Sequence, residues 1–332
     1  MPRFTARRLL TPLLSYQLRR SLRRLGVSTP VDWQPVRAAS EAPQDIAIYR
    51  DNGRIRLGLP FQPAELVFEQ REMITTYLYL LSHCPPEVAG MTGACSDGHL
   101  PSAARFAPSS RNERVIALPD RYFILRDGFS AERRLADTNE VPWHERRSTL
   151  VWRGGVNGDG IHPQKAEDAD NPRVIQRLRL CMRLRTVADV DARISAPMGP
   201  HMPLNLLEPL GIVGSPRAEP EWLGDKFAID IDGWTNTWSN LILRMHFGCC
   251  VLKVASADGY RQWWYEDLSP WEHFVPVAAD LSDLEERIDW LRTNDAEAQA
   301  IARRGQALVR RMTMASETAR GAALITQYWN TV

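Results

Sequence analysis

Short apolar runs recur at a regular spacing in the second half of the chain. The runs at 150–152, 227–230, 251–254 and 274–277 read as buried strands, each bounded by polar or turn-forming residues. Between and after them the pattern widens to a helical period, predicting helices over about 172–185, 237–247, 260–267, 282–292 and 295–312. Ser282-Asp-Leu-Glu285 has the spacing of a capping box, in which a serine and a glutamate satisfy free N–H groups at a helix start. Strands alternating with helices imply βαβ units and a parallel sheet. Right-handed crossovers then bring the strand carboxyl ends to one edge, where ligands of such sheets bind. The loops to read for chemistry are therefore 153–173, 230–240 and 254–260.

The first half is less periodic. Residues 45–58 predict a hairpin turning at Asp51-Asn52-Gly53. Pro63 opens a helix that runs through Leu81 and stops before Pro85 and Pro86. Residues 115–118 read as a short buried strand, and 126–147 as a charged, irregular inter-domain region.

A chain of 332 residues suits two α/β domains of roughly 150 residues each. Lys and Arg number 41 against 40 Asp and Glu. That balance gives no bulk attraction to nucleic acid, and none is expected as a partner. The five cysteines are odd in number and form no C-x-x-C pair, which argues against a disulfide framework or zinc site and for a reducing compartment. No apolar run is long enough to span a bilayer, and the N-terminus lacks a signal-peptide core; a cytoplasmic location is the expectation. One segment breaks the charge balance. Over residues 1–25, seven arginines accompany seven leucines. This reads either as a basic helix lying on an anionic membrane surface or as a helix docked on its own domain by its leucines.

Loop 230–240 carries the densest small-polar chemistry. Gly233 lets the backbone approach a ligand, and Thr235, Asn236, Thr237 and Ser239 offer short hydrogen-bonding side chains at a helix start, suited to a diphosphate or to ordinary capping. Loop 153–173 adds Arg153 and Arg173, whose planar forks suit phosphate oxygens. Asp230-x-Asp232 matches a metal-binding D-x-D pattern, but Asp168-x-Asp170 and Asp189-x-Asp191 match as well, so the pattern selects nothing and no metal is expected. The aromatic group Trp263, Trp264, Tyr265, Trp271 and Phe274 reads mainly as packing.

These residues resemble a known family. K-F-A-I-D-I-D-G-W (226–234), F-G-C-C-V-L-K-V (247–254), L-S-P-W-E-H-F-V-P-V (268–277), D-L-S-D-L (280–284) and N-D-A-E-A-Q-A-I-A-R-R-G (294–305) follow the order and spacing of the CAP10 and protein O-glucosyltransferase family, glycosyltransferase family 90. W-R-G (152–154) followed by Arg173 looks like its upstream segment. The resemblance covers about 150–312 and suggests the bacterial branch that builds lipopolysaccharide or capsule glycans.

What the resemblance implies is an α/β chain of the GT-B type, two Rossmann-like domains with a cleft between them. Residues 1–140 would form the acceptor-side domain, 141–312 the nucleotide-sugar domain and 313–332 a terminal helix. The activity implied is inverting, metal-independent transfer from a UDP-sugar to a glycan hydroxyl, with no cofactor. Asp97 in Cys95-Ser-Asp-Gly-His99 is the matched general base, with Asp120 and Asp127 as alternatives. Donor binding falls to Arg153, Arg173, Asp232, Gly233, Thr235, Asn236, Thr237, Ser239 and Lys253, with base and ribose near 230–236 and 254–260. One departure stands out. Eukaryotic members carry an arginine where this chain has Ser239, and Arg244 or Lys253 are the candidates to replace its charge. That departure motivates an alternative, a catalytically silent glycan-binding or scaffold protein on the same fold.

Overall fold

A computed structural model describes residues 16–35, 45–59, 68–197 and 204–330. They fall into two compact units. The first comprises Met1–Gly128, Arg261–Trp263 and Thr313–Val332, the second Phe129–Tyr260 and Trp264–Met312.

The first unit is built on six strands, β1 (Val31–Pro35), β2 (Asp45–Asp51), β3 (Arg54–Leu59), β4 (Gly90–Ala94), β5 (Phe106–Ala107) and β6 (Ile116–Ala117), in the order β1-β3-β2-β4-β5-β6. The expected hairpin is β2–β3, and Asn52 and Gly53 take the left-handed conformations (φ 49° and 74°) that a tight turn between twisted strands needs. That hairpin makes β2 antiparallel to both neighbours, whereas β1–β3, β4–β5 and β5–β6 are parallel. The sheet is therefore mixed, and the expectation of a Rossmann-like first domain is corrected: a two-residue turn can only return a strand antiparallel.

Helix α1 (16–24) turns Leu18 and Leu22 into this unit and leaves Arg19, Arg20, Arg23 and Arg24 exposed. The described part of the basic segment is thus docked by its leucines; residues 1–15 lie outside the described residues. Helix α2 (Phe68–Ser82) buries Met73, Ile74, Tyr77, Leu78 and Leu81, and the Tyr77 hydroxyl donates to the Ala94 carbonyl at 2.7 Å. The start of the expected helix at Pro63 lies outside the described residues. A short helix, α3 (Arg121–Leu125), follows β6. The terminal helix Met314–Tyr328 packs here too, where Tyr79 and Thr318 share a hydrogen bond at 3.0 Å.

The second unit opens with α4 (Ser130–Thr138), inside the stretch read as irregular. Only Ala136 of this helix is buried, so the apolar stripe that announces a helix is missing. A five-stranded sheet follows: β7 (Arg147–Gly155), β8 (Val190–Ala196), β9 (Asp225–Asp230), β10 (Cys250–Val254) and β11 (Val275–Val277). Every pairing is parallel, in the order β11-β10-β9-β7-β8. Numbered within the unit this is 2-1-3-4-5, the doubly wound order whose winding reverses between its first and third strands. The crossover helices are α5 (Gln176–Leu184) and α6 (Asn240–His246), and α7 (Leu284–Thr293) and α8 (Asp295–Arg311) close the unit. One apolar cluster, including Trp152, Ile194, Ile229, Leu252 and Ile301, joins sheet and helices.

Two local expectations fail. Residues 260–267 form no α-helix. Arg261 pairs with Ser110 in an isolated bridge, the Gln262 amide donates to Asp120 and the Trp263 indole to Glu317, so residues 261–263 run extended within the first unit, and one 3-10 turn at Tyr265–Asp267 remains. The capping box at 282–285 is also absent. Asp283 occupies the N-cap of α7, and its carboxylate accepts from the Ala278 N–H and from Arg287. All five cysteines are free and buried. Among the described residues no helix is long and apolar enough to cross a membrane.

Candidate functional site

The reversal of winding lies between β7 and β9, and a pocket sits beyond the carboxyl ends of β7, β9 and β10. Asn157 and Gly158 reach it from the loop after β7, Gln176 from the start of α5, Asp232 and Thr235 from the loop after β9, and Ser256 from the loop after β10. Side chains from three adjacent strand ends meet here because parallel pairing places those ends together.

The loop after β9 has an unusual polar economy. Asp230, at the strand's end, is fully buried and well served: Lys253 Nζ lies 3.1 Å away and Asn240 Nδ2 donates at 2.9 Å. Asp232 is 7% exposed, yet no hydrogen bond of ordinary geometry reaches either carboxylate oxygen. Thr235 Oγ1, Asn236 Nδ2 and Thr237 Oγ1 are likewise buried without a partner. Each such atom costs about 1–3 kcal/mol, more when charged, so natural proteins seldom concentrate them in one loop. Burial drives the Asp232 carboxyl up to about 6; Lys253 and Arg177 pull it down and Asp230 pushes it up, while the nearby Ser256 hydroxyl also lowers it. Trp238 adds backbone strain, with φ of 54° in a bulky residue, held by its N–H donating to Asn236 Oδ1 at 2.8 Å.

Beneath the loop lies Arg177, a residue the sequence reading passed over. Its Nε donates to the Asp232 carbonyl at 2.9 Å, Nη2 to the Ile231 carbonyl at 3.0 Å and Nη1 to the Gly155 carbonyl at 3.3 Å. One buried guanidinium thus ties the ends of β7 and β9 together. Stretch 174–184 carries three arginines, Arg177, Arg179 and Arg183, among its apolar residues, and the sequence pattern does not single out the first. Gly233 fits between Arg177 and Asn157: a Cβ there would come within 3.2 Å of the guanidinium carbon and 3.1 Å of the Asn157 Cβ. α5 begins beside the pocket at Gln176, and Ile175 at its N-cap makes no side-chain cap.

The expected donor residues divide. Asp232, Gly233 and Thr235 line the pocket, and Asn236 and Thr237 belong to the same loop. Ser239 is half-buried at the N-cap of α6 and its hydroxyl makes no cap bond. Arg153 is engaged elsewhere: it pairs with Asp191 at 2.6 Å and donates to the carbonyls of Trp152, Asp191 and Ser215. Lys253 is committed to Asp230. Arg173 is exposed and is not among the pocket residues. Arg244 points away, stacked 3.7 Å from the Trp222 ring centre and paired with Glu219 at 2.7 Å. Three of the other D-x-D aspartates are occupied, Asp168 by the N–H groups of Gln164 and Lys165, Asp170 by Arg183 and Asp191 by Arg153. Among the described residues, no three of His, Cys, Asp and Glu gather as a metal ligand set.

In the first unit, Asp97 follows β4 and is half-buried. Its turn depends on Gly98, which has φ of 97° and would carry a Cβ 2.7 Å from the Ser109 carbonyl oxygen. Asp120, an alternative base, is a structural cap: one oxygen accepts the Phe123 N–H at 2.9 Å and the other the Gln262 amide at 2.8 Å. Asp127 is an exposed turn residue.

Comparison with known proteins falls on the same region. Residues 220–331 match the model of the family described as glycosyl transferase family 90. The match lies in the carboxy-terminal third of the chain. Rat protein O-glucosyltransferase 1 is 36% identical over 199 residues, which cover 58% of this chain and 45% of that protein. Uncharacterized protein 035R of invertebrate iridescent virus 3 is 32% identical over 169 residues, covering 48% of this chain and 14% of the viral protein. The chain therefore spans less than half the length of these relatives. Among solved structures, TarM aligns with a TM-score of 0.39 at 12% identity, covering 56% of this chain and 36% of TarM. Anabaena HepE, solved with UDP-glucose, aligns at 0.35 and 12%, covering 60% of this chain and 53% of HepE.

Proposed function

We propose that this protein is an inverting, metal-independent glycosyltransferase that moves a sugar from a UDP-sugar to a hydroxyl of a lipopolysaccharide or capsule glycan. One coincidence carries the reading: the family-matched segment contains the loop Asp232–Thr237, whose buried polar atoms lack partners, at the winding reversal of a parallel sheet. A nucleoside diphosphate-sugar supplies both the acceptors and the donors those atoms need.

In this reading the diphosphate lies at the uncapped start of α5, where free N–H groups and the helix dipole favour negative charge. Asn236, Thr235 and Thr237 donate to its oxygens, and the buried charge of Arg177 sits beneath them. These donors are in place before the leaving group gains charge, so they stabilise the transition state without a metal. Arg173 stands at the exposed mouth of α5. Asp97 of the first unit takes the proton from the acceptor hydroxyl as it attacks the anomeric carbon. The location proposed is cytoplasmic, and the exposed arginines of α1 suit the anionic surface of the inner membrane.

Asp97→Asn tests the base. Transfer should fall by at least about a hundredfold while UDP affinity stays unchanged, measured as product formation and by calorimetry. Unchanged turnover would remove Asp97 from the role. The second reading, a silent glycan-binding protein, is favoured by Ser239, whose hydroxyl contributes no charge at the start of α6. Slow release of UDP from UDP-glucose or UDP-xylose without acceptor separates the two, since a silent protein gives none.

A further inference from the structure

One face of α1 is turned to a cleft. Gln17, Arg20, Ser21 and Arg24 recur at the three- and four-residue spacing that sets side chains in one row, and all four line a pocket of about 330 Å³. The other wall comes from α2, where Arg71 and Thr75 stand one turn apart. Arg71 donates to the Gln17 side chain, so the two walls are joined across the cleft. The pocket lies within the first unit.

Its charge is one-sided. Arg20, Arg24 and Arg71 line it against a single acid, Glu72. That acid is already spent, because its carboxylate pairs with the buried Arg121 at 3.1 Å. Arg20 and Arg24 are exposed, and among the described residues no acid pairs with either. Like charges four residues apart on a helix repel, and an anion held between them removes that cost. A carboxylate offers two oxygens to such a group. A phosphate offers more oxygens and more charge, so several guanidinium forks bind it at once. The volume suits a small organic molecule rather than a bare ion.

We propose that the cleft between α1 and α2 is a phosphate-ester site, with Arg20, Arg24 and Arg71 as its cationic ligands and Ser21 as a hydroxyl donor. The site belongs to the first unit alone and stands apart from the nucleotide-sugar reading. It also differs from a diffuse attraction of α1 to an anionic surface, because only one face of the helix and one arginine of α2 take part. A phosphate ester arrives either as the headgroup of a membrane lipid or on a soluble molecule. Tyr16, 60% exposed and one turn before Arg20, favours the lipid, since tyrosine suits the headgroup level of a bilayer.

The test measures binding of the full chain to vesicles of phosphatidylglycerol mixed with phosphatidylcholine by co-sedimentation, and to glycerol 3-phosphate by calorimetry. Two double variants are compared. Arg20→Gln/Arg24→Gln alters the pocket, and Arg19→Gln/Arg23→Gln removes the same charge from the same helix outside it. The pocket variant should lose at least about tenfold more vesicle affinity than its charge-matched control. Binding of glycerol 3-phosphate that the pocket variant alone loses, without vesicle binding, places the phosphate on a soluble molecule and the site stands. Equal losses in the two variants mean diffuse attraction and overturn the proposal. So does wild-type protein that binds neither probe.

Discussion

Asp120 and Asp232 are the same residue in nearly the same predicament. Both are buried, and burial raises both carboxyls to about 6. Asp120 spends its two oxygens on the Phe123 N–H and the Gln262 amide. Asp232 has only the nearby Ser256 hydroxyl, and no hydrogen bond of ordinary geometry reaches its oxygens. Titration alone would rank them equally as functional candidates. Partner accounting separates them: one fastens a helix start to a passing segment, and the other waits at a pocket. A perturbed carboxyl is a sign of function only when the fold does not already use it.

The largest expected effect that could break this comparison is on stability. Asp120→Ala should cost about 2 kcal/mol, because it removes the cap of α3 and strands the Gln262 amide. Urea unfolding would measure it, and UDP affinity should be untouched. Asp232→Asn should behave oppositely. A carboxyl whose folded value lies above its unfolded one takes up a proton on folding between about pH 4 and 6. Its ionised form therefore burdens the fold increasingly as pH rises through that window, and fully above it. Replacing Asp232 should leave stability unchanged near pH 4 and raise it by about 2 kcal/mol at pH 7.5, read from unfolding midpoints across pH. A loss at pH 7.5 would mean that the carboxylate has a structural partner after all. The smallest effect concerns Thr235→Val. Removing a buried hydroxyl without a partner should change stability by no more than about 0.5 kcal/mol in the unfavourable direction, while UDP affinity falls several-fold. A structural hydroxyl would show the reverse.

The parts of the fold legible in the sequence were those whose apolar runs are continuous. β7, β9, β10 and β11 are buried and read as such. β8 escaped notice because Val190-Asp-Ala-Arg-Ile-Ser-Ala196 is an edge strand with one half-exposed face. β4 contains two glycines in five residues, Gly90-Met-Thr-Gly-Ala94, and carries no strand signal. Residues 260–263 have helical composition, but bonds to Ser110, Asp120 and Glu317, remote in sequence, decide their conformation. The candidate site divided along the same line. Loop 232–237 was visible from its small polar residues, since local chemistry suffices there. Arg153 and Lys253 looked available because their counter-charges, Asp191 and Asp230, lie 38 and 23 residues away. Arg177 was hidden for the converse reason, because its partners are backbone carbonyls that no side-chain pattern reveals.

The most direct test of the central claim, that the second unit holds a metal-free nucleotide-sugar site, is calorimetric titration of UDP into the purified protein with and without EDTA. The account predicts micromolar binding that EDTA leaves unchanged. No binding in either condition, or binding that EDTA abolishes, would contradict it.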